Sequence, residues 1–446
     1  MHFSFLSNRI QFSWLFFFAL TSCSLQRQVQ QLAQREIASA KSFDNAHWGV
    51  SIMELSTQTY WYNQNGHKYF VPASNVKIPT CYVAMKYLED RLVGAVLQET
   101  NDTLYVQPQG DPTFLHPDFV TQPLLQRMLQ GQKHIALRYS IRDRVEPYGS
   151  GWSWDDFQEP YLAERSAFPV YGNLVYFQAR DQRLEALPSL ALRPPFMKEA
   201  LVQLVGTGGK FDLSRSQDEN LFSIKRGNKT FGKSAIPYKT NRGVTNYIFL
   251  QDTLQQLGLR SSVSVSGLPV EGTPLYSHPT DSLLTPLMHR SDNFFAEQSL
   301  LMVSQRLLGY MSDRALIDTV LATDLADLPQ APRWVDGSGL SRYNLFTPQD
   351  MVSILDRMQR EFGWERIQTI FPRGNEGTLS GYYVKDSSAI FAKTGTLSGV
   401  VALSGFLQTR KGKWLVFSVL VNNHQSTATE IRRKIEKFLL AVRARY

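Results

Sequence analysis

The chain of 446 residues is 43% apolar and 19% charged, with 27 Phe and 19 Tyr, a composition that belongs to a folded protein and excludes a disordered one. Its length exceeds what one ordinary core holds, so two or three domains are expected. A formal charge of +8 over that length admits an anionic membrane surface or polymer as neighbour, and equally a plain solvated surface; no nucleic-acid partner is expected.

The chain opens on a targeting segment. Arg9 is the only charge before residue 23, and Trp14-Leu15-Phe16-Phe17-Phe18-Ala19-Leu20 has the length of a secretory apolar core, too short to span a bilayer. Leu20-Thr21-Ser22-Cys23 resembles a bacterial lipobox. On that reading residues 1–22 are a signal peptide, Cys23 becomes the acylated first residue, and the protein is a membrane-anchored lipoprotein of the periplasm. An ordinary signal peptide is the alternative. The other cysteine, Cys81, then has no disulfide partner and sits in an apolar helical pattern as a core residue.

Residues 25–42 are helix-prone, with Val29, Leu32, Ala33 and Ile37 on one face. Alternation over 48–55, the turn Ser56-Thr57-Gln58 and Tyr60-Trp61-Tyr62 predict a hairpin. Pro72-Ala73-Ser74 opens a helix carrying Val76, Ile78, Tyr82, Val83, Met85 and Leu88. From about 95 to 270 short strands, turns and Pro/Gly dominate, and helical patterns return over 292–309 and 347–362. Strands are expected at 389–393, 400–409 and 413–421. A last helix from about Thr427 buries Ile431, Ile435, Phe438, Leu439 and Val442. Its other stripe, which includes Arg432, Arg433, Lys434 and Lys437, is read as a solvated face. The strands of the two chain ends are expected to form one antiparallel sheet flanked by the first and last helices, an α+β arrangement.

Three short patterns carry chemistry. Ser74-Asn75-Val76-Lys77 places a hydroxyl and an amine one helical turn apart, on one face. A hydroxyl attacks well only when something takes its proton, and the Lys can do so only when neutral. Ser291-Asp292-Asn293 adds a second hydroxyl, able to relay protons, and an amide able to hold a carbonyl. Lys393-Thr394-Gly395 ends a strand, where Gly395 lets a substrate backbone lie close and Thr394 and Lys393 can hold a carboxylate. Two like charges about 4 Å apart at an effective dielectric near 20 repel by about 4 kcal/mol, so Lys393 beside Lys77 would move Lys77 from about 10.4 to about 7.4. Each pattern is weak alone, yet each occurs once and in this order. No G-x-S-x-G elbow, H-E-x-x-H helix or phosphate loop competes; Gly206-Thr207-Gly208-Gly209-Lys210 reads as a turn. No metal or organic cofactor is called for.

On these motifs the chain resembles the class C low-molecular-mass penicillin-binding proteins, the D-alanyl-D-alanine carboxypeptidase/endopeptidases of peptidase family S13. The likeness extends to Gly110-Asp111-Pro112, Gly151-Trp152-Ser153-Trp154-Asp155-Asp156, the continuation Phe294-Phe295-Ala296-Glu297, and Asp336-Gly337-Ser338-Gly339-Leu340-Ser341-Arg342. The resemblance implies a penicillin-recognising transpeptidase/β-lactamase-like domain built from 23–95 and 271–446, with one or more inserted β-rich domains at 96–270. It implies that Ser74 is acylated, that Lys77 takes its proton, and that Ser291 relays a proton to the leaving amine. Asn293 would hold the substrate amide, Lys393, Thr394, Gly395 and Thr396 would form the carboxylate and strand-edge site, and the N–H groups of Ser74 and Thr396 would form the oxyanion hole. Trp152, Asp155 and Tyr161 would meet the stem peptide, or else serve the fold of the inserted domain. The implied partners are peptidoglycan peptides and β-lactams. A β-lactamase or esterase on the same scaffold, and a silent envelope scaffold, remain open. Two departures stand out: the insertion is short for such a family, and Ser380-Gly381-Tyr382-Tyr383 occupies a place where a more basic stretch is expected.

Overall fold

The structure, a computed structural model, describes residues 25–180, 183–197, 212–225, 233–265 and 271–446. The expected signal peptide, Cys23 and the glycine-rich turn at 206–210 lie outside the described residues.

Both chain ends build one sheet. Strands β1 (His47–Glu54) and β2 (Thr59–Gln64) join β13 (Ile390–Leu397), β14 (Val400–Gln408) and β15 (Trp414–Asn422) in the order β13-β14-β15-β1-β2. All neighbours are antiparallel, with Val50 opposite Val419 and Lys393 opposite Ser404. Side chains alternate across a strand, and here both faces are covered, so β14 and β15 are apolar nearly throughout. On one face Val50, Ile52, Val401, Phe417 and Val419 meet α1 (25–33) and α9 (Ala428–Arg445), whose Ile431, Ile435, Phe438, Leu439 and Val442 recur at helical spacing. On the other, Met53, Phe391, Phe406 and Val416 meet α2 (Lys77–Tyr87), α5 (Thr280–His289), α6 (Asn293–Leu308) and α8 (Pro348–Ile370). α7 (Asp313–Ala322) packs against α6 through Leu316, Ile317 and Val320. The Ser404 and Ser418 hydroxyls, both buried, satisfy each other across the ladder at 2.8 Å. The aromatic pair that replaces the expected basic stretch packs under α9: Arg433 stacks 4.1 Å from the Tyr382 ring centre, and the Tyr383 N–H donates to Glu436 at 2.6 Å.

The intervening chain forms a second five-stranded sheet from β3 (Arg91–Glu99), β4 (Thr103–Pro108), β5 (His134–Leu137), β11 (Val263–Val265) and β12 (Thr273–Pro279), in the order β11-β5-β4-β3-β12. It thus takes in strand residues on both sides of the expected 96–270 bounds. Its β4–β5 and β5–β11 pairs are parallel. Helices α3 (Pro123–Leu129) and α4 (Val244–Gln256) cover it through Leu124, Met128, Leu250 and Leu254, so this region is mixed rather than purely β-rich. A three-stranded sheet of β6 (Leu174–Arg180), β7 (Arg183–Leu187) and β10 (Ser234–Pro237), and the pair β8 (Asp212–Arg215) with β9 (Phe222–Lys225), complete the insertion. Among the described residues no helix is long and apolar enough to cross a membrane.

Phe438 is fully buried between α9 and the sheet. Phe438→Ala should therefore lower the unfolding free energy by about 3–5 kcal/mol, read as a reduced urea midpoint. A loss below about 1 kcal/mol would contradict the packing of α9 described above.

Candidate active site

Ser74 lies in a 3-10 turn, Ala73–Val76, that feeds directly into α2. The sequence predicts a continuous helix here; the tighter turn is the better geometry, because residues three apart eclipse in a 3-10 turn. Lys77 Nζ sits 3.2 Å from Ser74 Oγ. The turn is held by two close approaches. Ala73 has a left-handed backbone with φ of 48°, and its carbonyl presses against Gly339, where an added Cβ would fall 1.9 Å from that oxygen. On the other side Gly395 of β13 passes so near that a Cβ would lie 2.8 Å from Pro72 O and 3.1 Å from Ser74 N. The strand edge is therefore seated against the Ser74 amide.

Lys77 is fully buried and has two more partners, Asn293 Oδ1 at 2.6 Å and the Ser338 carbonyl at 2.6 Å. α6 delivers the first. Its N-cap Asp292 accepts from the Phe295 N–H, which fixes the helix start where Asn293 stands. Asn293 also donates to the Tyr161 carbonyl at 3.1 Å. The second comes from the loop 334–341, shaped by one carboxylate. Asp336 accepts from the Gly339 N–H at 2.9 Å, the Ser341 N–H at 2.7 Å, Asn344 Nδ2 at 2.7 Å and Trp152 Nε1 at 2.8 Å. Glu297 accepts from the Ser338 N–H at 2.7 Å, and Arg165 ties Glu297 to Asp313. Thr80 of α2 donates to Gly337 O at 2.7 Å, closing the loop onto the helix.

Ser291 has a left-handed backbone, φ 61°, that turns its hydroxyl toward β13, where Lys393 Nζ donates to it at 2.9 Å. Lys393 is fully buried and also donates to the Thr394 carbonyl. Asn75 donates to the Lys393 carbonyl at 2.9 Å, locking the Ser74 turn to the strand. All three sequence motifs thus meet at one point.

Burial is the main cause that lowers Lys77, to about 8, while Asp336, Glu297 and Asp292 pull the other way. The expected repulsion between the two amines is present too, and it bears on Lys393, which burial first and Lys77 second push well below its ordinary value. Lys77 also faces carboxylates, whereas Lys393 faces a second cation, Arg432. Glu297 is raised to about 7 by burial and by Asp336.

The site opens into a cleft of about 770 Å³ lined by Ser74, Asp156, Tyr161, Ser291, Asn293 and Thr396, with Leu340 and Arg342 on the loop side. Of the expected stem-peptide residues, Tyr161 lines it. Trp152 turns inward to Asp336, with Arg165 over its ring at 5.4 Å, and Asp155 is exposed beside Ser153. Asp156, not Asp155, reaches the cleft and pairs with the Tyr161 hydroxyl. Sequence reasoning gave no role to Asp336, Glu297 or Arg165, although the first two stand inside quoted motifs. It placed Arg432 on a solvated stripe, whereas Arg432 bonds Thr396 Oγ1. Cys81 is free and buried, with burial holding its thiol up. Among the described residues no three His, Cys, Asp or Glu cluster to hold a metal.

Comparison with known proteins shows the family. The D-Ala-D-Ala carboxypeptidase 3 (S13) family matches residues 28–442. The sequence is 25% identical over 416 residues to the D-alanyl-D-alanine carboxypeptidase DacB of Haemophilus influenzae, covering 83% of this chain and 84% of that one. It is 24% identical over 442 residues to a D-alanyl-D-alanine carboxypeptidase of Actinomadura sp., covering 87% and 80%. The fold superposes on the crystal structure of penicillin binding protein 4 from Haemophilus influenzae with a TM-score of 0.70 at 22% identity, covering 93% and 98% of the two chains. A predatory peptidoglycan endopeptidase from Bdellovibrio bacteriovorus shares it at 0.52 and 15%, covering 89% and 93%.

The lowered Lys77 has a consequence for stability. Its folded value is about 8 against an ordinary 10.5, so below pH 8 both states hold the proton and the native state bears the full penalty of a buried charge. Between those values the unfolded chain binds more protons, and stability gained through Lys77 rises with pH. The stability of the native protein relative to Lys77→Met should therefore increase from pH 7 to pH 9.5 in paired urea titrations. A difference that stays flat or falls would mean that Lys77 is not depressed.

Proposed function

Because the chain belongs to the D-Ala-D-Ala carboxypeptidase 3 (S13) family, we propose that its peptidase activity runs through an acyl-enzyme on Ser74. The protein is a serine DD-peptidase, a hydrolase acting on peptidoglycan. The observation that carries the residue assignment is the buried Lys77 amine 3.2 Å from Ser74 Oγ, with its other two directions filled by Asn293 Oδ1 and Ser338 O. A neutral amine has two N–H bonds and one lone pair. The two oxygens take the hydrogens, and the lone pair is left facing the Ser74 hydroxyl.

In this reading Lys77 takes the Ser74 proton as Oγ attacks the carbonyl of the penultimate D-alanine. The developing oxyanion meets the N–H groups of Ser74 and Thr396, donors typically worth about 2.7–4 kcal/mol each. Ser291, held by Lys393, passes a proton to the leaving nitrogen as the C–N bond breaks. The terminal residue departs with its carboxylate held by the Thr396 hydroxyl, which lines the cleft, beside the buried Lys393; Thr394, buried and outside the cleft lining, takes no direct part. Lys77 returns the Ser74 proton to Ser291, so one proton has moved from Ser74 to the leaving nitrogen; water then attacks the Ser74 ester, its proton passes to Lys77 and on to Ser74 Oγ as the C–O bond breaks, and the acid product leaves. Gly395 lets the edge of β13 lie against the Ser74 turn, and the substrate backbone meets that edge from Thr396 onward, where the strand lines the cleft. Asp156 and Arg342, of opposite charge on the cleft wall, suit the zwitterionic end of a meso-diaminopimelate stem. Cleavage of D-Ala–meso-diaminopimelate cross-links falls within the same chemistry, since the leaving nitrogen again belongs to a carboxylate-bearing residue. β-Lactams acylate Ser74 by the same route; the Haemophilus protein of similar fold has been crystallised with one. The substrate lies outside the cytoplasmic membrane, and the leader ending at Ser22 together with Cys23 supports a lipid-anchored protein of the bacterial envelope.

Two experiments test this. Mass spectrometry after incubation with penicillin should locate the adduct on Ser74, and Ser74→Ala should abolish both adduct and D-alanine release; an adduct elsewhere, or activity that survives, refutes the assignment. Cell fractionation should find the wild type with membranes and Cys23→Ser in the soluble envelope fraction; an unchanged distribution refutes the anchor.

A further inference from the structure

One cation behind the Thr396 edge of the cleft lacks the partner its charge calls for. Arg432, on the first turns of α9, donates through Nη2 to Thr396 Oγ1. Its Nε is buried and has no hydrogen-bond partner. Salt bridges near it occupy Arg433 with Glu436 and Arg443 with Asp386, and among the described residues none gives Arg432 a carboxylate. The alternation of β13 explains how it arrives there. Ile390 and Ala392 pack toward α9 and Phe391 toward α2, so Lys393 and Gly395 fall on the α2 side and Thr394 and Thr396 on the α9 side. Arg432 therefore approaches the carboxylate end of the cleft from behind the strand, near enough for its charge to bear on Lys393.

The hydrogen bond also fixes what Thr396 can do. A hydroxyl has one hydrogen, and when its oxygen accepts from a guanidinium that hydrogen must point elsewhere. Thr396 lines the cleft, so the open side is the substrate side. A donor polarised by a guanidinium is a stronger one, and a carboxylate is the acceptor that gains most.

We propose that Arg432 is a positioning residue for substrate selection: it orients and polarises the Thr396 hydroxyl and supplies the field that favours a leaving residue bearing a free carboxylate. The inference rests on the reading of Ser74 as the acylated residue. It concerns the carboxylate shared by stem peptides and penicillins, and no part of the acyl-transfer step itself.

The test compares acylation rate constants for a penicillin and for its methyl ester, in the wild type, R432Q and R432K. A hydrogen-bonding arrangement around a charge is worth enough that R432Q should lower the acid-to-ester rate ratio roughly ten- to a hundredfold. R432K keeps the charge without the planar fork and should restore part of the ratio. The ester rate reports on folding, since a misfolded variant loses both probes alike; a proportional loss of both, or an unchanged ratio in R432Q, overturns the proposal. A wild type that forms no Ser74 adduct with either probe overturns the Ser74 reading and this inference with it, whereas an adduct formed at an unchanged ratio overturns this inference alone.

Discussion

The site depends on one buried amine. An ammonium taken fully out of water is strongly disfavoured, and a protein that encloses one must either pair the charge or let it go. Lys77 stands between these options. Its direct partners are an amide oxygen, a peptide oxygen and a hydroxyl, none of them charged. The carboxylates of Asp336, Glu297 and Asp292 act on it through space. Burial outweighs them, and the amine settles near neutrality, where it can exchange a proton with a hydroxyl. More carboxylate would keep the proton on; an apolar wall would leave the amine too weak a base to matter.

Those carboxylates are also the framework that aims the partners. Asp336 organises the loop that presents the Ser338 carbonyl, and Trp152 from the insertion completes its coordination. Glu297 holds the Ser338 N–H from one turn past Asn293 on the same helix face, and is itself held by Arg165. Electrostatic tuning and positioning therefore reside in the same groups. A change at Trp152 reaches Lys77 through two hydrogen bonds and one peptide loop, although the two residues do not touch.

Much of this is legible along the chain, and the illegible part has a common cause. Strand alternation at 48–55 and 400–421 and the helical spacing from Ile431 to Val442 are local signals, and the sheet of both chain ends follows from them. The three motifs declare their residue types, and their convergence at 2.6–3.2 Å around Lys77 and Lys393 needed only the fold. What escaped is long-range. The parallel pairs of β5 with β4 and β11 join strands separated by helices and leave no turn signature. Trp152 reads as a cleft residue from its neighbours, but its indole N–H finds Asp336 far along the chain. Asp155 and Asp156 are adjacent and chemically alike, so only the local 3-10 turn Trp154–Asp156 decides which one enters the cleft. A helical wheel puts Arg432 on the outer stripe of α9; that wheel cannot see that the outer stripe ends at the edge strand of the sheet.

The backbone around the two hydroxyls is the last element that ties chemistry to fold. Ala73, just before Ser74, and Ser291 itself both adopt left-handed conformations that residues with a Cβ avoid, at about 1–3 kcal/mol each. Neither would persist unless its surroundings over-determined it. At Ala73 the surroundings are Gly339, whose missing side chain accepts the Ala73 carbonyl, and Gly395, which lays the strand edge beside the Ser74 amide. At Ser291 they are the capped start of α6 and the Lys393 ammonium or amine. Relaxing either turn would move its hydroxyl away from the nitrogen it serves. The strain is thus held where hydroxyl and amine stand at fixed short distances, and the glycines that accommodate it at Ala73 come from the loop and the strand that also present the Ser338 carbonyl and the Thr396 hydroxyl. Ser74, Lys77 and the Thr396 edge are in this sense one rigid unit, assembled from segments that the single sheet of both chain ends holds together.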